Sequence, residues 1–492
     1  MGQRAFEGER GREMAQRTTK SQVSGYRFLL RRLEHALVRR DVRMIHDPMS
    51  AHVKSLVVGL VLTLVVLGGA VAVSFFKPQG SVGDSKILMS KDSGQLYVLL
   101  NGQLRPALNL ASARLVTGSA ANPNSVKDSV LADYPRGPQV GIPGAPSSLI
   151  ARGAPGVSEW TVCDRLTEPR DPDGSPSLAV VAGTPRYGTG TRQLGANDAL
   201  FARNGESSYL IYRNTRAQID PEDPVIRQAL ALQSISPRAA STSLLDALPP
   251  APPIVAPVID NAGDPSRFRL GGARVGSILR VSSLDAQAGN QEQLYVVLSD
   301  GIQAVSPFVA DLIRASVASS GQPVTLEPNA IVAVPQVDTL KLDGYPDTTP
   351  VEVDGTALQT LCLGWRKDRD RPAALSVSLT PAVPVADQKS LIPSVGARSD
   401  GVTADLTYIP PGSGYFVRTT GSDPDSGAAA SDFYVSDTGV RYGVPESSVQ
   451  PLGMPDPLPA PYPVVKLIPP GPALARNAAL ISQSDIEPTA GS

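Results

Sequence analysis

The stretch LYVVLSDGIQAVSPFVADLI, which runs from Leu294 to Ile313, decides the fold because it describes one complete structural unit. The apolar run around Tyr295 predicts a strand, Gly301 predicts a hairpin turn, and the next apolar residues predict a second strand. Helical spacing begins near Pro307, and proline is favoured in the first turn of a helix. Similar stretches begin at Leu96, Ser208 and Phe433. The chain therefore contains four copies of one small unit.

Each copy has an aromatic residue in its first apolar run and, five or six residues later, a residue type that tolerates positive φ in a turn. The aromatic residues are Tyr97, Tyr209, Tyr295 and Tyr434. The turn residues are Gly102, Asn214, Gly301 and Gly439. Apolar pairs upstream, such as Ile278 and Leu279, predict one more strand per unit. We therefore predict a ββ(β)α module that occurs four times.

The two cysteines indicate a larger duplication. Cys163 lies 66 residues after Tyr97, and Cys362 lies 67 residues after Tyr295. The part of the chain from the first repeat onward therefore consists of two halves, each with a repeat, a cysteine segment and a second repeat. We expect the cysteine segments to pair in one central β domain about a pseudo-two-fold axis, fastened by a Cys163–Cys362 disulfide. Closing so long a loop stabilises the folded state by about 4 to 5 kcal/mol on the chain-entropy account. A redox-active pair is the alternative, but no CxxC motif or neighbouring histidine accompanies these cysteines.

The predicted fold class is α+β, with a single N-terminal transmembrane helix and an elongated extracytoplasmic region. In chain order, the predicted segments are a basic amphipathic cytosolic segment (1–54), a transmembrane helix (55–76), repeat 1 (84–120), the first half of the central β domain (150–196), repeat 2 (197–235), a proline-rich linker (236–270), repeat 3 (271–320), the second half of the central β domain (321–400), repeat 4 (401–455) and a proline-rich C-terminal tail (456–492).

The membrane anchor is predicted from Leu56 to Phe76, an uncharged run of 21 residues that would form a helix about 31 Å long. A cleaved signal peptide is the alternative, but the run is too long and FFKPQG offers no small-residue cleavage site. Residues 1–54 contain 12 Lys and Arg against 6 Asp and Glu, whereas the rest contains 33 against 40. This asymmetry predicts a cytoplasmic N-terminus and an exported C-terminal region in the cell inner membrane.

A basic amphipathic helix is predicted just before the anchor, with Thr19 and Gln22 forming a capping box at its start. Its proposed docking residues are Tyr26, Leu30, Arg31, Arg32, Leu33 and Leu37. Such a helix either lies on anionic lipid or docks to a cytosolic partner, and the sequence leaves both open. Both Met1 and Met14 are candidate start residues.

Several classes of chemistry have no recognisable residues in the chain. The three histidines, His35, His46 and His52, all precede the exported region, which therefore has no histidine for a nucleophilic triad or a zinc site. No Gly-Lys dipeptide occurs, so a phosphate-binding P-loop is absent from the sequence. The scattered basic residues beyond the anchor argue against nucleic acid as a ligand. We expect a structural or binding protein without cofactor, metal or catalytic residues.

The sequence resembles the EccB family, the membrane-anchored B component of type VII (ESX) secretion systems, over nearly its whole length. The motifs that carry the resemblance are QVSGYRFLLRRLEHALVRRD from Gln22, LYVLLNGQLRPALNLASARL from Leu96, GPQVGIPGAPSSL from Gly137, EWTVCD around Trp160, LLDALP from Leu244, YVVLSDGIQ from Tyr295 and VSDTGVRYGVP from Val435. This resemblance implies a structural core subunit of an inner-membrane complex that exports WXG-type substrates. It also implies EccC, EccD, EccE and a mycosin protease as partners, and self-association through the exported region.

Two other functions follow from resemblance rather than from chemistry. Members of the EccB family are often labelled ATPases, which makes ATP hydrolysis the alternative function, although the chain has no P-loop motif. The repeats also resemble cell-wall-binding modules of phage lysins. On that hypothesis the repeat tyrosines would stack on sugars, whereas their place inside apolar runs favours core packing.

Overall fold

We describe the protein from a computed structural model. The structure describes residues 19–40, 48–76, 82–153, 156–171, 173–282, 292–318, 320–368, 371–394, 402–427 and 431–483. The candidate start Met14 lies outside these residues. The chain divides into two compact units, Met1–Gln79 and Gly80–Ser492.

The first unit contains two helices, α1 (Lys20–Arg39) and α2 (Pro48–Phe76). The backbone N–H of Thr19 donates to Oε1 of Gln22 at 3.0 Å, which is half of the predicted capping box. Within α2, the stretch His52–Val71 is by length and composition long and apolar enough to cross a membrane.

The second unit begins with the sheet of repeat 1 and the first strands of the central region. Repeat 1 consists of β1 (Ile87–Ser90), β2 (Leu96–Leu100), β3 (Gln103–Pro106), α3 (Leu110–Thr117), β4 (Asn124–Val126) and α4 (Asp128–Leu131). The central strands that follow are β5 (Ala151–Arg152), β6 (Ser158–Arg165), β7 (Ser177–Ala182) and β8 (Arg192–Gln193).

Repeats 2 and 3 follow in chain order. Repeat 2 consists of β9 (Asp198–Asn204), β10 (Ser207–Tyr212), β11 (Thr215–Ile219), α5 (Pro224–Ala229) and β12 (Arg238–Ala239), and α6 (Thr242–Ala247) comes after it. Repeat 3 consists of β13 (Ile278–Ser282), β14 (Glu292–Val297), β15 (Ile302–Val305), α7 (Pro307–Ser316) and β16 (Val324–Leu326).

The remaining strands complete the central region and repeat 4. The central strands are β17 (Val351–Glu352), β18 (Thr360–Lys367), β19 (Ala374–Thr380), β20 (Ile392–Pro393) and β21 (Leu406–Tyr408). Repeat 4 and the tail contain β22 (Gly414–Thr420), β23 (Asp432–Val435), β24 (Arg441–Gly443), α8 (Glu446–Leu452), β25 (Leu458–Pro461), α9 (Tyr462–Val465) and α10 (Arg476–Ala479).

The stretch around Pro307 shows why the repeat folds as it does. Ser306 caps α7, since its hydroxyl oxygen accepts from the N–H of Val309 at 3.2 Å, and Pro307 occupies the first turn. The buried face of α7 includes Phe308 and Leu312, which lie one helical turn apart and pack against the core. Local capping and an apolar face together specify the helix.

All four repeat sheets share one strand order, in which the third strand pairs with the second, the second with the first, and the first with a fourth strand. The fourth strands are β4, β12, β16 and β25, and each runs parallel to its first strand after the repeat helix. These strands fall outside the predicted repeat segments, so the predicted boundaries of 84–120, 197–235, 271–320 and 401–455 end too early. The fourth strands contain two to four residues each, which is too short for a period-2 pattern.

The central sheet has seven strands in the order β20-β21-β7-β6-β18-β19-β8. Its two middle strands, β6 and β18, are antiparallel, one comes from each half of the chain, and Cys163 lies directly opposite Cys362. The β strand at 406–408 belongs to this sheet, although the sequence places it in repeat 4. The pseudo-two-fold axis that relates the two halves therefore passes between β6 and β18.

The four repeats form two lobes rather than four separate arms. Repeats 1 and 4 share one apolar core, in which Val98 and Leu115 pack with Phe416 and Leu452. Repeats 2 and 3 share another, in which Ile226 of α5 packs with Phe308 of α7. We call these pairs the 1–4 lobe and the 2–3 lobe. Each lobe thus combines one repeat from each half of the chain.

Short exchanged strands tie the halves together further. The strand β5, from the first half, pairs with β22 of repeat 4, whereas β17, from the second half, pairs with β9 of repeat 2. The predicted linker, 236–270, is therefore only partly a linker, because β12 completes the repeat 2 sheet and α6 packs on the central sheet.

Candidate functional site

The candidate site is the hub, by which we mean the central sheet together with α6 and α9. The structure joins Cys163 and Cys362 in the predicted disulfide, with their Cα atoms 4.1 Å apart. Both cysteines are fully buried and pack with Val181 and Val383 on one face of the sheet. Solvent thiols therefore have no direct access to the bond in the folded protein, which fits a structural staple better than a redox centre.

The opposite face of the middle strands carries the two tryptophans. Trp160 lies directly across from Trp365, and both are buried in the largest core cluster. The indole N–H of Trp160 donates to Oγ of Ser158 at 3.0 Å, and its ring lies 5.7 Å from that of Tyr415. Side chains alternate along a strand, so the disulfide lies on one face of the sheet and the tryptophans lie on the other, where they pack with residues of repeats 2 and 4.

A buried polar network fastens the 2–3 lobe to the hub. Asp164, at the end of β6, is fully buried, and its two carboxylate oxygens accept from the N–H and the hydroxyl of Ser241, each at 2.6 Å. The hydroxyl oxygen of Ser241 also caps α6, accepting from the N–H of Leu244 at 3.0 Å. One carboxylate therefore fixes the start of α6 against the central sheet.

Arg238 of β12 completes this network. Its guanidinium group is buried and donates at 2.6 Å to each of three carbonyl oxygens, those of Gly355, Leu358 and Gln359. It also donates to the backbone carbonyl of Asp164 at 3.4 Å. The planar fork of arginine suits several acceptors at once, so this side chain links the two halves of the hub to repeat 2.

Burial dominates the electrostatics of the network. Desolvation raises the pKa of Asp164 to about 6, and the hydrogen bonds from Ser241 and the charge of Arg238 offset only part of that increase. Desolvation likewise lowers the pKa of Arg238 to about 10, against the opposing charge of Asp164. The hydrogen bonds from Ser241 to the carboxylate and from the guanidinium group to the backbone carbonyl oxygens are what compensate each of these groups for its burial.

A second link crosses the pseudo-two-fold axis. The motif LLDALPP from Leu244 and the motif VVKLIPP from Val464 occupy α6, α9 and the residues after them. At the third position of these motifs, Lys466 lies 3.7 Å from the Asp246 carboxylate. The two proline-rich stretches therefore begin at equivalent places, and each continues along an edge strand of its repeat, Pro250 beside Arg216 and Pro470 beside Arg441.

Three of the four predicted turn residues adopt positive φ. The values are 79° at Gly102, 59° at Asn214 and 78° at Gly439. Gly301 is different, because its φ lies outside that region and a Cβ there would collide with the carbonyl oxygen of Pro335. The prediction of a left-handed turn at Gly301 is wrong, and close approach of another backbone is the physical reason for glycine there.

The repeat aromatics already have protein partners. The guanidinium carbon of Arg136 lies 5.1 Å from the ring centre of Tyr97, and that of Arg216 lies 5.7 Å from the ring centre of Tyr209. Tyr295 is half-buried against the repeat 3 core, and Tyr434 is buried. The structure thus gives these side chains a packing role in place of sugar stacking.

Repeat 4 also corrects the sequence alignment by one residue. Phe433, not Tyr434, occupies the position of Tyr209, since it faces the same core cluster and lies 5.4 Å from the guanidinium of Arg441. Tyr434 points to the other side of the sheet, into the core shared with repeat 1. A shift of one residue reverses the face of a strand, which the sequence pattern did not resolve.

The predicted docking residues lie on α1. Tyr26, Leu30, Leu33 and Leu37 have exposed fractions of 65%, 50%, 61% and 76%, and Arg31 and Arg32 are exposed beside them. In α2, Leu56 is 74% exposed, and Phe76 is the last helical residue. An exposed apolar line on a basic helix is free to meet lipid or a partner.

Sequence reasoning missed Asp164, Arg238 and Ser241. A usable signal was present, because Asp164 follows Cys163 inside a strand predicted to be buried, and a buried carboxylate requires a partner. The hydrogen-bond partner of the carboxylate, Ser241, lies 77 residues later, at a distance that one sequence does not reveal. Within the described residues, no group of three or more His, Cys, Asp or Glu side chains is arranged to hold a metal ion.

The chain is similar to known proteins over nearly its whole length. A family model described as type VII secretion system ESX-1, transport TM domain B (EccB), matches residues 15–488. The ESX-2 secretion system ATPase EccB2 of Mycobacterium tuberculosis is 38% identical over 488 residues, which cover 96% of each chain. The ESX-3 secretion system ATPase EccB3 of Mycolicibacterium smegmatis is 36% identical over 485 residues, covering 95% of this chain and 91% of that protein.

Solved structures show the same fold. A chain in the structure of an intact ESX-5 inner membrane complex is 33% identical, with a TM-score of 0.72 and 98% of each chain covered. The structure of the EccB3 dimer from the ESX-3 core complex matches at 34% identity with a TM-score of 0.69, covering 81% of this chain and all of that one. On these matches, the chain belongs to the EccB family, the transmembrane B component of type VII secretion systems.

Proposed function

We propose that this protein is a structural core subunit of an ESX inner-membrane complex, where it anchors and organises the components that export WXG-type substrates. The observation that carries the proposal is the match to a chain of the intact ESX-5 inner membrane complex over 98% of both chains. The hub and its two lobes suit this role because a rigid body of several linked sheets keeps bound neighbours at fixed positions.

The proposed orientation places α1 in the cytoplasm, α2 across the inner membrane and the second unit in the periplasm. The excess of basic residues before α2 supports this direction. The disulfide of the hub supports it independently, since disulfides persist outside the cytoplasm.

The proposed partners are EccC, EccD, EccE and a mycosin protease of the same ESX system. The exposed apolar line of α1 and its arginines give the cytosolic contact. Self-association through the exported region is proposed by analogy with the EccB3 dimer. The structural match to that protein extends over the whole of its chain. We propose no catalytic step: several relatives carry the word ATPase in their names, but this sequence has no Gly-Lys dipeptide for a P-loop.

The test is affinity purification of the tagged full-length protein in mild detergent from cells that express the whole ESX locus. We expect EccC, EccD and EccE to co-purify in one large assembly without ATPase activity of this protein alone. The variant Leu33→Glu should release them, because it places a charge on the exposed apolar line.

The matched control is Val38→Glu, which makes the same change at a residue that is 67% exposed but lies off that line. This variant should keep the assembly intact. Recovery of the wild-type protein by itself, with ATP hydrolysis by the purified chain, would overturn the proposal.

A further inference from the structure

A cleft lies where repeat 4 meets the hub, and no step of the proposed function uses it. Its volume is about 720 Å³, which is within the range of ligand-binding sites. Its walls include Arg152 of β5, Arg186 after β7, Pro384, and Tyr408 and Tyr415 on opposite sides of the junction.

The floor of the cleft is fixed rather than adaptable. Tyr415 packs on Trp160 with ring centres 5.7 Å apart, and both residues are buried in the hub core. Gly183 has a φ of 87°, and a Cβ there would lie 2.7 Å from the hydroxyl of Tyr415. Glycine at position 183 therefore lets the phenol project to the cleft, and a fixed aromatic wall reduces the entropy lost on binding.

The cleft carries unbalanced positive charge. Within the part of the chain that the structure describes, neither the Arg152 nor the Arg186 guanidinium group has a hydrogen-bonded or ion-paired partner. One carboxylate, that of Glu159, also lines the cleft, and it already has partners, since it lies 3.3 Å from Arg366 and accepts from the hydroxyl of Thr184. This local excess is unusual because the chain beyond residue 54 is acidic, with 33 basic against 40 acidic residues.

The cleft continues into a second cavity of about 460 Å³ that shares Gly156 and Leu458 with it. This second cavity adds the ammonium group of Lys367 and the apolar rings of Pro457 and Pro459. Its lining also includes the carboxylate of Asp456 and the guanidinium group of Arg418, which is paired with Asp432. Positive groups therefore outnumber negative ones along a groove that also presents apolar surface, and an extended acidic peptide with alternating apolar side chains suits such a groove.

The duplication gives an independent reason to assign the cleft a function. Its first cation, Arg152 of β5, pairs with Tyr415, and the equivalent place in the other half, beside Leu200, is occupied by the apolar Val353 directly after β17. A residue needed only to hold an exchanged strand has no reason to change charge between the halves. The basic character of the groove belongs to one side of the molecule.

We propose that this groove binds an extended acidic segment of a partner polypeptide, with carboxylates at Arg152 and Arg186 and apolar side chains against Tyr408, Tyr415 and Leu458. The inference does not depend on the proposed function, since it concerns a surface of the exported unit alone.

The test uses the full-length protein in detergent and a short fluorescein-labelled peptide in which glutamate alternates with proline and leucine. Fluorescence anisotropy should show saturable binding that weakens with added salt, and no binding of the same peptide with lysine in place of glutamate. The variants Arg152→Gln and Arg186→Gln should each weaken binding about tenfold, which corresponds to about 1.4 kcal/mol.

The control is Arg269→Gln, which removes an exposed arginine of the 2–3 lobe and should leave binding unchanged. Thermal unfolding of each variant at the wild-type temperature shows that the fold is intact. Absence of binding by the glutamate peptide, or equal binding by the wild type and both groove variants, would overturn the proposal. These outcomes leave the pull-down test of the scaffold role unaffected.

Discussion

The 1–4 lobe and the 2–3 lobe have the same architecture but meet the hub through different chemistry. In the 2–3 lobe, Arg238 and Asp164 are buried charged groups that make separate hydrogen bonds, Arg238 to backbone carbonyl oxygens and the Asp164 carboxylate to Ser241. The equivalent positions on the other side follow from the aligned cysteines and from the LLDALPP and VVKLIPP motifs. They are Leu458 and Leu363, both buried in the hub core. One architecture therefore accepts either a buried polar network or an apolar contact at the same joint.

This difference indicates what the duplication preserves and what it leaves free to change. Strand order, exchanged strands and repeat turns are shared by both halves because they determine the fold. Charged positions differ, as the exchanged strands show, because Glu352 of β17 occupies the place of Ala151 in β5, and Arg152 of β5 the place of Val353. The joint contacts and the basic groove are therefore the places where the two sides of the hub have separate roles.

The largest effect is expected from removing the bond that holds the halves together. Replacing both cysteines, in the variant Cys163→Ser/Cys362→Ser, opens a loop of 199 residues. The chain-entropy account then predicts a loss of about 5 kcal/mol in the free energy of unfolding. Denaturant titration of the detergent-solubilised protein measures this loss.

Resistance to reduction gives a second readout of the same bond. Because both cysteines are fully buried, the native wild-type protein should keep its disulfide in dithiothreitol until it unfolds. Rapid reduction of the folded protein would show that the pair is accessible and would favour the redox alternative.

The next effect concerns the polar network that joins the 2–3 lobe to the hub. The variant Arg238→Leu leaves the Asp164 carboxylate buried without its counter-charge and removes the donor from three carbonyl oxygens. We expect a loss of about 3 to 5 kcal/mol in the free energy of unfolding. The double variant Asp164→Leu/Arg238→Leu copies the leucines of the other side.

That double variant should be more stable than Arg238→Leu, because it no longer buries a carboxylate from which the nearby positive charge has been removed. The comparison is made by denaturant titration of the wild type, both single variants and the double variant. A double variant that loses the sum of the two single effects would show that the two joints are not interchangeable.

The sequence predicted the parts of the fold that depend on local pattern. The repeat hairpins, the helix after each hairpin and the pairing of the cysteine segments follow from turn residues, apolar period and spacing. For example, Ser306 and Pro307 specify the start of α7 without help from the rest of the chain. Such signals lie within a few residues of the structure that they determine.

The rest depends on contacts between distant residues. The pairing of repeat 1 with repeat 4 rests on packing such as that of Val98 with Phe416, and the joint rests on Ser241 reaching back to Asp164 over 77 residues. One sequence shows which residues are apolar or charged but not which of them meet. The register error at Tyr434 has the same origin, because both Phe433 and Tyr434 fit an apolar strand.

A smaller effect separates the turns of repeats 1 and 3. At Gly102 a Cβ has open space and only the positive φ opposes it, so Gly102→Ala should cost about 1 kcal/mol. At Gly301 a Cβ would collide with the carbonyl oxygen of Pro335, so Gly301→Ala should cost about 2 to 3 kcal/mol. Thermal unfolding of both variants compares them, and equal losses would contradict the different roles assigned to these glycines.

The smallest effect concerns Glu352, which occupies in β17 the place that Ala151 has in β5. Burial, with a smaller contribution from Asp354, raises the pKa of Glu352 from 4.5 to about 7. The folded state then holds a proton that the unfolded state releases between these values, so this group reduces stability as the pH rises from about 4.5 to about 7. The variant Glu352→Gln should therefore be more stable than the wild type at about pH 8, by about 1 kcal/mol once solvent screening of the half-buried side chain is included.

At about pH 4 the Glu352 carboxyl group is mostly protonated in both the folded and the unfolded state. The difference in stability between the wild type and Glu352→Gln should then vanish. The control is Glu327→Gln, which makes the same change at an exposed carboxylate of the same lobe. Thermal unfolding across this pH range measures both variants. A stabilisation by Glu352→Gln that stayed constant with pH would mean that shape, and not the buried charge, distinguishes β17 from β5.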